Sequence, residues 1–124
     1  MSRFCASARG PFPRQVRLLR SSDFGRVFKR AQRSADQDFT ILSRSNDMGW
    51  ARIGLAVSKK VSPRAVVRNR IKRMVRESFR QHQDQLGDLD LVVIGKPAAA
   101  ARTRTELARS LEQHWSRIAK SRLP

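Results

Sequence analysis

Acids, sulfur and long apolar runs are all scarce in this chain, and each shortage excludes something. Only 10 Asp+Glu stand against 27 Lys+Arg in 124 residues, a formal net charge of +17. The acids are scattered, whereas two-metal nuclease chemistry wants several carboxylates converging on one point. Asp84, Asp88 and Asp90 form the only close set of three; Asp88 and Asp90 bracket the start of a strand, and all three read as turn or capping residues. The one cysteine, Cys5, cannot close an internal disulfide, which fits a reducing compartment. No Cys/His cluster has zinc spacing: His82 and His114 are far apart, the first read as a surface residue and the second as packing at the edge of the core. Gly25, Gly49, Gly54, Gly87 and Gly95 make no phosphate-cradling loop. No stretch approaches the roughly 18 apolar residues of a membrane span. Residues 1–13 lack the apolar segment of a secretory signal and read as a flexible basic arm, with Arg3, Arg9, Gly10, Pro11 and Pro13. The expectation is a cytoplasmic protein with no membrane partner.

What is present is enough for one core. At 40% hydrophobic the chain is too apolar to be a wholly disordered basic tail. Residues 14–120 are expected to form one domain, since no linker or repeat divides them. Of the cations, 21 are Arg and 6 are Lys. Guanidinium forks onto phosphate and stacks on bases, so a polyanionic partner is the simplest account of the charge.

The elements follow from spacing. Ser21 and Ser22 are N-cap candidates for an expected short helix whose stripe is Phe24, Val27 and Phe28. Residues 38–44 read as a strand, residues 45–49 as a turn, and residues 51–58 as an alternating strand; the pair is expected to form a hairpin. Residues 30–35 add a weak edge strand. A helix is expected from Pro63 to about His82, then a mostly apolar strand at residues 89–95, covered on both faces. Thr103 and Glu106 make a capping box, and Leu107, Leu111, Trp115 and Ile118 recur at helical spacing. Strand–helix–strand across residues 51–95 implies a parallel pair joined by a crossover.

The chemistry concentrates in residues 58–80, which hold nine basic side chains and one acid, Glu77. On a helical wheel Val67, Ile71, Met74, Val75 and Ser78 share one face. Asn69, Lys72, Arg73, Arg76 and Arg80 lie opposite, with Arg68 and Arg70 at the boundary. Such a face can be a merely solvated one. Here, however, Lys72–Arg76, Arg73–Arg76 and Arg76–Arg80 repel at helical spacing, and phosphates would relieve them. A membrane-surface helix fits less well, because the edge lacks Trp or several Leu.

Arg68-Asn69-Arg70-Ile71-Lys72-Arg73 resembles the RNR motif of the bacterial ribonuclease P protein family. Residues 12–18, 22–28, 54–60 and 90–97 are similar to that family in order and spacing. The resemblance implies an α+β fold like the second domain of ribosomal protein S5, in the order α-β-β-β-α-β-α. Its βαβ crossover would be left-handed, against the usual preference. It also implies an accessory to a catalytic RNA that removes the 5′ leader of precursor tRNA. The RNA would supply the active site and hold the magnesium, with one protein per RNA and no catalytic residue or cofactor on this chain. Arg64, Arg68, Asn69, Arg70, Lys72, Arg73 and Arg76 would meet that RNA. Phe24 and Phe28 would stack leader bases, although core packing under a short helix is the plainer reading of their pattern. Lys59 and Lys60 would hold leader phosphates. Leu42 stands where many members carry an aromatic, so it would give apolar contact without stacking. The alternative is another structural RNA-binding protein of the ribosomal type.

Overall fold

The computed structural model describes residues 31–46 and 49–122. The strands are β1 (Gln32–Ala35), β2 (Phe39–Ser45), β3 (Arg52–Ala56) and β4 (Leu89–Gly95). The helices are α1 (Ala65–Leu86), between β3 and β4, and α2 (Arg104–Arg122), which follows a 3-10 turn at Pro97–Ala101. The expected basic arm and the expected first helix, with Phe24 and Phe28, lie outside the described residues.

The sheet is mixed, in the order β1-β2-β4-β3. β1 pairs antiparallel with β2, β2 antiparallel with β4, and β3 parallel with β4. The expected hairpin between the second and third strands therefore does not exist. β4 lies between them, because a strand reading LDLVVIG gains most from burial on both faces and takes the centre. Just past β2, Asn46 is pinned to the start of β4. Its backbone N–H donates to Asp88 O at 3.0 Å, and its Nδ2 donates to Asp90 Oδ1 at 2.8 Å and to Trp50 O at 3.1 Å. The parallel pair joined through α1 is as expected, and so is the edge strand.

Both helices pack on one face of the sheet. Phe39, Ile41, Leu91 and Val93 meet Ile71, Val75 and Phe79 of α1 and Leu107, Leu111 and Trp115 of α2 in one core. Trp115 is fully buried, meets Phe79 edge-on at 6.2 Å between ring centres, and donates Nε1–H to Ser78 Oγ at 2.8 Å. α1 runs one turn beyond His82, because Gln83 and Leu86 continue its buried stripe. It stops at Gly87, whose φ of 67° suits a residue without Cβ. It begins at Ala65 rather than Pro63, after Arg64 in an extended conformation. At α2 the capping box forms as the sequence indicates: Glu106 N–H donates to Thr103 Oγ1 and Thr103 N–H to Glu106 Oε1.

Candidate nucleic-acid interface

α1 divides as its wheel predicts, with one addition. Ile71 and Val75 are buried, and Phe79 joins them. Asn69, Arg70 and Arg73 are exposed, as is Arg64 just before the helix, while Arg68, Lys72 and Arg76 are half-buried. Arg68 and Arg70 use protein oxygens, and both oxygens are backbone carbonyls. Arg68 Nη1 donates to Ser62 O at 2.9 Å, and Arg70 Nη2 donates to Ala100 O at 3.3 Å. These bonds orient the guanidinium groups without neutralising them. Among the described residues no carboxylate pairs with Arg64, Arg68, Arg70, Lys72 or Arg73, and Glu77 pairs with no cation. The first turn of α1 holds no acid. The positive end of the helix dipole therefore adds to the field of Lys59, Lys60 and Arg64, all exposed.

The face of the sheet away from the helices is different. The register places Leu42 beside Val92, with Gly54 on the other side of Val92. Val92 is fully buried, and Ala31, Leu42 and Ile94 pack against it. Leu42 is half-buried in the middle of β2, where it offers an apolar surface. At one end of this face Asp90, 2% exposed, is held by Arg52 through two bonds of 2.8 and 2.7 Å. That pairing gives Asp90 a structural role. Lys59 and Lys60 occupy the turn leaving β3, closed by Val61 N–H donating to Ser58 O at 3.0 Å. The structure thus brings Leu42 into an apolar patch and sets the two lysines in an exposed loop beside the start of α1.

A third cluster escapes a reading of the sequence. Asp36 Oδ1 accepts the backbone N–H of Asp38 and of Phe39, both at 2.9 Å, and Oδ2 accepts the Ser110 hydroxyl. His114, fully buried rather than at the core's edge, places Nδ1 2.7 Å from Ser34 Oγ, which also accepts Arg117 Nη1 at 3.2 Å. Its Nε2 stands 3.1 Å from Asp36 Oδ2 but off the line of a hydrogen bond. Burial lowers the His114 pKa below 6.5, and the nearby Asp36 only partly counters this. Burial also raises Asp36, yet the bonds from Ser110, Phe39 and Asp38 outweigh it and bring its carboxyl down to about 2. Serine, histidine and aspartate meet here as in a hydrolytic triad. However, Ser34 is 7% exposed and the imidazole 0%, so no substrate reaches them and the group seats α2 on β1. Nearby, Arg102 Nε donates to Asp38 Oδ1 at 2.9 Å, and Lys96 Nζ to Asp36 O at 2.6 Å. Among the described residues no group of three His, Cys, Asp or Glu could hold a metal ion. Likewise, no described helix is long and apolar enough to cross a membrane.

A small mixed sheet carrying two helices, one of them with Arg68, Arg70, Lys72 and Arg73 paired to no described carboxylate, defines a nucleic-acid-binding α+β protein. The comparisons name the class more closely. The profile of the Ribonuclease P family matches residues 12–119. The ribonuclease P protein component of Thioalkalivibrio sulfidiphilus is 48% identical over 107 residues, covering 86% of this chain and 89% of that protein. That of Yersinia enterocolitica is 48% identical over 106 residues, with coverage of 86% and 89%. The solved RNase P protein of Staphylococcus aureus superposes with a TM-score of 0.77 at 35% identity, covering 85% of this chain and 95% of that one. That of Thermotoga maritima does so at 0.73 and 30%, covering 82% and 96%. The chain belongs to the ribonuclease P protein family. Its role is that of accessory subunit in a ribonucleoprotein endoribonuclease, working with the ribonuclease P RNA.

Proposed function

We propose that α1 docks the catalytic RNA through Arg64, Arg68, Asn69, Arg70, Lys72, Arg73 and Arg76, one protein to each RNA. The apolar patch around Leu42, with Lys59 and Lys60 and with Phe24 and Phe28 from outside the described residues, grips the 5′ leader of precursor tRNA. The observation that carries this reading is that Arg64, Arg68, Arg70, Lys72 and Arg73, at and along α1, meet no carboxylate among the described residues. Like charges crowded along a helix are unfavourable for the protein alone, and RNA phosphates turn that cost into affinity. Leu42 gives the leader apolar contact, so stacking falls to the phenylalanines. Holding the leader positions the scissile phosphate in the RNA's active site, where the RNA holds the magnesium. The work takes place in the cytoplasm.

Reconstituted cleavage tests this. With the catalytic RNA, the protein should raise affinity for precursor tRNA over mature tRNA. Phe24→Ala should erode that preference while leaving affinity for the catalytic RNA nearly unchanged. Cleavage by the protein without RNA, or an effect that ignores the leader, overturns the reading.

A further inference from the structure

We propose that the outward stripe of α2, carried by Arg109, Arg117 and Lys120, is a second docking surface for the same catalytic RNA; this rests on the reading of α1 as the first. Gln113 and Ser116 lie between these cations, and all five positions fall on one helical face and are exposed. Leu107, Leu111, Trp115 and Ile118 take the opposite, buried face. The stripe borders a shallow trough of about 370 Å³ whose lining also includes Glu112.

Its cations form no ion pair among the described residues, although Arg109 also lines a cleft with Asp36, Asp38 and Glu106. Among the described residues Arg109 and Lys120 meet no carboxylate, although Glu112 is one turn from Arg109, and Arg117 gives Nη1 only to a serine hydroxyl. At the start of the same helix Arg102 pairs with both Asp38 and Glu106, so pairing is used where the fold needs it. The segment at residues 58–80 holds nine of the 27 cations, so most of the positive charge lies elsewhere in the chain.

Placement selects the catalytic RNA over the substrate. α1 and α2 pack side by side, with Arg70 reaching Ala100 just ahead of α2 and Ser78 bonded to Trp115. Packed helices lie roughly 8–10 Å apart, so phosphates on α1 and on α2 belong to one continuous backbone surface. The leader patch is on the other side of the sheet.

The test uses the full chain, the catalytic RNA and a salt titration. Arg109→Gln with Lys120→Gln should lower the slope of log Kd against log salt by about two and weaken binding roughly tenfold near physiological salt. Glu112→Gln should tighten binding roughly two- to threefold. Binding of precursor tRNA in the absence of catalytic RNA should keep its slope. Arg73→Gln is the control, and should lower the slope on catalytic RNA by about one. If Arg73→Gln lowers that slope and the α2 pair does not, this inference falls and the α1 reading stands. A loss confined to precursor tRNA also overturns it. If neither variant moves the slope, both readings fall together.

Discussion

Asp36, Asp38, Arg102 and His114 answer one another inside the protein, whereas Arg64, Lys72 and Arg73 along α1 meet no carboxylate among the described residues. Both regions are rich in charge, and their chemistry differs only in where the opposite charge comes from. In the first it comes from other elements of the same chain, so each group fixes the fold. In the second it has to come from outside, so each group is available to a partner. An arginine near an acid is thus evidence about stability, and an arginine held by backbone carbonyls is evidence about binding.

That contrast breaks most visibly at the internal pairs. Asp90→Ala removes the buried carboxylate that accepts from Arg52 and from Asn46 Nδ2, and should cost roughly 3–5 kcal/mol in urea unfolding. Asp36→Ala strands two backbone N–H groups and the Ser110 hydroxyl, and about 2–3 kcal/mol should be lost in the same measurement. Neither change should alter the salt slope of RNA binding in protein that remains folded.

A smaller effect comes with pH. His114 titrates below its ordinary 6.5 in the folded chain, so the unfolded chain binds more protons once the pH drops under that value. Stability should therefore fall as pH goes from 7 to 5, and His114→Gln should flatten that part of the profile. Asp36 acts lower down. Its contribution is complete above 3.8 and is lost as the pH falls through about 2. A profile that is flat between pH 7 and 5 in the wild type would remove His114 from the account.

Periodicity made α1 and α2 legible, because a 3.6-residue repeat is written along one stretch of chain. Phe79 escaped the wheel since Ile71, Val75, Phe79 and Gln83 step by four and drift around the helix toward Trp115. The apolar run of β4 revealed a doubly covered strand but not its neighbours, and so β2 and β3 looked like a hairpin. Strand order depends on contacts between distant residues, as when β4 inserts between β2 and β3. The pairing of Asp36 with His114 is a contact of the same kind, joining the β1–β2 turn to α2. The cations of α1 were readable because the docking proposed there rests on what the sequence omits nearby, namely acids. The residues proposed to hold the leader came through the family resemblance, since an apolar patch such as Leu42, Val92 and Ile94 looks like ordinary core in a sequence.

The most direct measurement is the salt dependence of catalytic-RNA binding by Lys72→Gln with Arg73→Gln, alongside its thermal stability. The account predicts a slope lower by about two and a stability unchanged within about 0.5 kcal/mol or slightly raised, as like-charge repulsion with Arg76 is relieved. An unchanged slope, or a protein that loses several kcal/mol, would contradict it.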